Sequence, residues 1–135
     1  MLVEVARISP DPGDAALVTV RTSVGTVRVR WGGSREAAAG EYHVEWELDE
    51  KFRWGFNCLP ATVEEPRLYQ DGRGVCCRGR LGLTGMGAAQ PLTHLELADA
   101  VIDLGHVDAL PQGMAGAWVE VRLEPEKIKI YPYRL

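Results

Sequence analysis

The chain has 135 residues, 46% hydrophobic and 25% charged, with a formal charge of −4 at pH 7 and a pI near 5.4. That length buries one real core or two very small ones, and the composition is that of an ordinary globular protein. The acidic balance excludes a general attraction to phosphate backbones or anionic lipid, and no apolar run approaches the roughly 20 residues of a membrane helix.

Apolar and polar residues alternate with period two almost throughout, which predicts strands. The first is LVEVARI, where Glu4 and Arg7 interrupt the only apolar stretch and argue against a signal peptide, hence for a cytoplasmic setting. LVTVRTSV and GTVRVRW follow as a pair. GSREAAAG reads as a helical turn with Ser34 as cap and Gly40 as terminator. In YHVEWEL, Tyr42, Val44, Trp46 and Leu48 share one side; in KFRWGF, Phe52, Trp54 and Phe56 do. GMGAAQP reads as a hairpin connection, since no helix follows it to aim amides at a phosphate. LTHLELADAVIDLG reads as one longer strand bent near Ala98, and AWVEVRL and KIKIYPYRL end the chain. Fifteen glycines and eight prolines punctuate these runs at the spacing of an all-β fold.

Two stretches resemble each other: GEYHVEWELDEKFRW at 40–54 and GAWVEVRLEPEKIKI at 116–130. With paired one-residue gaps they share Gly40 with Gly116, Val44 with Val119, Glu45 with Glu120, Leu48 with Leu123, Glu50 with Glu126 and Lys51 with Lys127. Each reads as a hairpin. A loop at Asp49, Glu50 and Lys51 would set Leu48 opposite Phe52 and Trp46 opposite Trp54, and Pro125 would pre-form the second loop. The order of three strands, a helical turn and two strands is that of a small OB-type barrel. The expectation is therefore an all-β chain of two OB-like small barrel units from internal duplication, 1–60 and 61–135, packed together or fused into one barrel or sandwich.

No catalytic signature accompanies the fold. His43, His94 and His106 are dispersed, no serine sits in a nucleophile elbow, and Cys58, Cys76 and Cys77 lack metal-ligand spacing. Buried, reduced thiols are expected, with no metal and no cofactor. Glu45, Glu47, Asp49 and Glu50 form a carboxylate run of the kind that binds hard cations, although such a run is more often the solvated face of an amphipathic strand. The informative feature is an asymmetry of charge. Strands two and three carry Arg21, Arg28 and Arg30 on their polar side, with Arg53 assigned to the same stripe and Trp31 beside it. The matching place in the second half carries His94, Glu96, Asp99, Val101 and Asp103. These stripes support a non-enzymatic binding protein acting through a protein partner: an adaptor, an inhibitor or immunity-type protein, or a small assembly subunit. The alternative is OB-type binding of single-stranded nucleic acid, the arginines on phosphates and Trp31 as a stacking platform. A further alternative is an enzyme with a site of dispersed residues.

Overall fold

The computed structural model describes residues 1–8, 17–33, 39–85 and 91–133. The expected helical turn after residue 33 and most of the 85–91 connection fall outside them. Alternation becomes strands: β1 (Leu2–Ile8), β2 (Leu17–Thr22), β3 (Gly25–Trp31), β4 (Gly40–Leu48), β5 (Cys58–Pro60), β6 (Arg67–Asp71), β7 (Gly74–Thr84), β8 (Leu92–Leu97), β9 (Ala100–Gly105), β10 (Trp118–Leu123) and β11 (Ile128–Tyr133). A 3-10 turn, Pro125–Lys127, with proline at its start, separates the last two. The protein is all-β.

Five strands close a barrel in the order β1-β2-β3-β11-β4. β1 pairs antiparallel with β2 and with β4, and β2 with β3. The last strand then fills the remaining gap, antiparallel to β4 and parallel to the end of β3. Closure satisfies edge groups that an open sheet would expose. The second sheet runs β5-β10-β7-β8-β9, with β6 also paired to β7. Beyond β9, the chain returns to the segment after β4: Asp108 N–H donates to Phe52 O and Trp54 N–H donates to Asp108 O, the parallel bridge of Arg53 with Asp108.

The inward sides of both sheets merge in one core that includes Val20, Val29, Val44, Phe52, Leu81, Leu95, Val121 and Ile130. β6 carries the barrel onto the second sheet. Leu68 N–H donates to Val24 O, Arg28 N–H donates to Gln70 Oε1 at 2.8 Å, and Gly25, at φ +144°, lies so close to the Leu68 carbonyl that a Cβ would overlap it.

Three expectations change. Neither resembling stretch is a hairpin closed on itself: Leu48 lies opposite Ile128 and Trp46 opposite Ile130, so the first arm of one stretch pairs with the second arm of the other. The other first arm, β10, pairs with β5 and β7. The reason is that period two fixes which side of a strand faces the core and leaves its neighbour open. LTHLELADAVIDLG is not one bent strand but two, reversing at Ala98 and Asp99, with Ala98 in the left-handed region at φ 53°. Phe56 does not join Phe52. Gly55, at φ 86°, turns the chain outward and leaves Phe56 77% exposed.

Candidate functional site

The β2–β3 ribbon turns through a local network: Thr22 Oγ1 donates to Gly25 O at 2.9 Å and accepts from Val24 N–H at 3.1 Å. Strict register carries Val18, Val20, Val27 and Val29 inward. Arg21 opposes Thr26 and Thr19 opposes Arg28 on the outward side, with Arg30 two residues further along. Arg21 lies 3.7 Å from Glu4, both side chains more than half exposed. Such a pair contributes only about 0–1 kcal/mol. Among the described residues no carboxylate comes within 4 Å of Arg28 or Arg30. Beside Arg30, Lys129 on β11 extends the basic row and faces Glu47 on β4. A hydrogen bond with that Glu47 pushes the Tyr131 phenol up, and the Arg30 guanidinium pulls it the other way.

Two residues of the expected stripe stand apart from it. Trp31 continues the inward parity of Val27 and Val29. It is partly buried against the core and meets the Tyr42 ring edge-on at 5.0 Å, so it is no open stacking platform. Arg53 belongs to the turn after β4: its guanidinium lies 3.9 Å from Asp108. Its backbone N–H donates to Asn57 Oδ1 at 2.7 Å.

The β8–β9 ribbon also has a two-residue turn, and its inward pairs are Leu97 with Ala100 and Leu95 with Ile102. Its outward pairs are Glu96 with Val101 and His94 with Asp103. His94 Nε2 lies 3.5 Å from Glu96, and Asp103 accepts Gly105 N–H at 2.8 Å. Val101 is 71% exposed. Counted from the turn, Arg21 corresponds to Glu96 and Arg28 to Asp103.

The carboxylate run is dispersed. Glu45 and Glu47 sit on the outer side of β4 opposite Tyr131 and Lys129, and Glu50 pairs with Lys127 at 3.1 Å. Among the described residues no group of three or more His, Cys, Asp or Glu is placed to hold a metal ion. No helix of the described residues is long and apolar enough to cross a membrane.

A polar cluster that the sequence did not reveal lies on the outer face of β6, β7 and β10. Arg122 Nη2 donates to the Tyr69 hydroxyl at 2.9 Å, Arg122 lies 3.3 Å from Asp71, and Arg67 stacks over the Tyr69 ring at 5.2 Å. A hydrogen bond with Cys76, then burial, pushes the Tyr69 phenol up to about 12. Cys76 has no exposed surface and burial raises its pKa, so this cluster presents no nucleophile. It ties three strands together. The only sequence signal for it was the outward parity of Tyr69, Cys76 and Arg122, which became a cluster once β6 and β10 flanked β7.

Compared with protein-family models, with curated proteins and with solved structures, the chain matches none.

Proposed function

We propose that the chain is a binding protein that docks a protein partner on its β2–β3 ribbon, and that its fold is a duplicated OB-type unit whose halves exchange their closing strands. The duplication is supported by pairings that repeat. β1-β2-β3 and β7-β8-β9 are both antiparallel meanders, and in each the next long strand returns to the first, β4 to β1 and β10 to β7. The strand beside that one comes from the other half, β11 beside β4 and β5 beside β10. β11 also runs parallel to the third strand, β3, and Arg53, in the turn ahead of β5, makes a parallel bridge with Asp108 beyond β9. A unit of about 60 residues is thin for a core of its own, and the exchange lets each half complete the other.

The observation that carries the functional reading is the ribbon's chemistry: among the described residues no carboxylate lies within 4 Å of Arg28 or Arg30, and the aromatics beside them, Trp31 and Tyr131, are partly buried. Single-strand binding draws on stacked bases, which this ribbon does not provide, whereas a carboxylate-bearing protein surface needs only the cations. The test is the Arg28→Glu/Arg30→Glu variant. Against partners captured by the wild-type chain from its native cell, the variant should associate more slowly with little change in dissociation. Oligonucleotide titrations at low salt should show weak binding at most. Tight single-strand binding, lost in the variant and falling steeply with salt, would instead identify nucleic acid as the ligand.

A further inference from the structure

We infer that the partner includes a second copy of this chain, the acidic β8–β9 ribbon of one copy docking on the basic β2–β3 ribbon of another. This rests on the reading that β2–β3 docks protein and deepens it by naming the occupant. The two ribbons share a two-residue turn, an inward apolar pair behind the first outward pair (Val20 with Val27, Leu95 with Ile102), and outward charges at the same steps from the turn. At those steps the signs are opposed, Arg21 against Glu96 and Arg28 against Asp103. Two exposed ribbon faces of opposite sign attract one another as patches. The 71% exposed Val101 supplies an apolar contact between the acids, where the basic ribbon offers Thr19 and Thr26. The internal competitors are Glu4 at Arg21, His94 at Glu96 and the Gly105 N–H on Asp103; the two side-chain pairs are exposed enough to hold their partners only weakly.

Each copy carries both ribbons, so the contact is heterologous. It closes reciprocally in a dimer or ring, or it propagates. A ribbon-on-ribbon contact is small, which puts it in the weak, transient class. The net charge of −4 opposes self-association, and opposes it most when salt is low. Association that strengthens as salt is removed must therefore come from local complementarity.

Sedimentation velocity of the purified full chain tests this. At about 0.01 M salt, where the screening length is about 30 Å, the average mass should rise with protein concentration. At about 1 M, where it is about 3 Å, the chain should be monomeric. Arg21→Glu/Arg28→Glu makes both ribbons acidic and Glu96→Arg/Asp103→Arg makes both basic, so each variant alone should lose the association. An equimolar mixture of the two should regain it. All four substituted positions are exposed, and circular dichroism checks that the fold is kept. A wild-type chain that stays monomeric at both salts overturns the inference, and this readout needs no variant. So does association that survives in each variant, or a mixture that stays dissociated. A monomeric wild type whose Arg28→Glu/Arg30→Glu variant still slows capture of a foreign protein would sink self-docking alone. Loss of that effect too would sink the docking reading itself.

Discussion

Arg78 on β7 and Glu120 on β10 stand directly opposite each other, their charged atoms 3.0 Å apart and their side chains 9% and 18% exposed. The outward face of a sheet normally keeps its charges wet. The chain must pass from β5, beside β10, to β6, on the far side of β7, and burial of this pair fits a connection crossing over it. Removing one partner strands a buried charge, which costs about 3–5 kcal/mol. Arg78→Met alone should lower unfolding stability by that order. Arg78→Met/Glu120→Leu should recover most of it, as read from urea denaturation. Equal losses in the single and double variants would mean that the pair itself is strongly stabilising.

Phe56 and Asn57 invert what their spacing suggests. Asn57 is buried; Oδ1 accepts Arg53 N–H at 2.7 Å and Nδ2 donates to Lys51 O at 2.9 Å. Asn57→Ala leaves those groups unpaired and should cost about 1–3 kcal/mol. Phe56→Ala, at an exposed tip, should stay within about 0.5 kcal/mol. A Phe56 effect larger than the Asn57 effect, by thermal unfolding, would contradict this arrangement.

The same segment shows where sequence reading stops. Parity placed Val44, Trp46, Leu48, Phe52, Trp54, Val119, Val121, Leu123, Ile128 and Ile130 inward; all are buried except Leu48 and Trp54, which are only partly so. It also set Arg21 and Arg28 on one outward side of one ribbon. Alternation at 52, 54 and 56 could not distinguish a strand from a turn, because the Gly55 φ and the Asn57 hydrogen bonds decide it. Nor could it place Arg53, whose neighbour Asp108 is 55 residues away. Lateral neighbours depend on three-dimensional closure, which a period of two does not encode.

The thiols carry a pH prediction. Burial raises Cys58 from 9.0 to about 11 and Cys77 further still. A thiol held neutral in the fold ionises first in the unfolded chain. Its stabilising contribution is complete below pH 9.0 and is lost as pH rises through about 11. The urea midpoint should fall across that window, and Cys58→Ala should flatten part of the fall. A thiol reagent at mildly alkaline pH should label the native chain slowly and all three cysteines once unfolded. Rapid native labelling of Cys77 would contradict its burial.

Gly25 and Gly40 make a controlled pair, both at positive φ, 144° and 149°. At Gly40 a Cβ meets nothing within 4 Å among the described residues, whereas at Gly25 it would overlap the Leu68 carbonyl. Gly40→Ala should cost only the backbone strain, about 1–3 kcal/mol. Gly25→Ala should cost clearly more, because β3 would have to separate from β6. Similar unfolding free energies for the two variants would count against that close approach.

The barrel's dependence on β11 predicts how the whole chain unfolds. β11 supplies the backbone pairing between β3 and β4 and contributes the fully buried Ile128 and Ile130. In return, Phe52 and β5 complete the second sheet from the first half. Ile130→Ala should cost about 2–5 kcal/mol. It should lower the melting point seen by tryptophan fluorescence and by far-ultraviolet circular dichroism together, because one core spans both sheets. Fragment 1–60 lacks β11, which closes the barrel, and fragment 61–135 lacks the edge strand β5, so neither alone should unfold cooperatively. Mixing them should restore strand signal, since each carries the piece the other needs. A sharp unfolding transition in either isolated fragment would show that it folds without the strand it lacks.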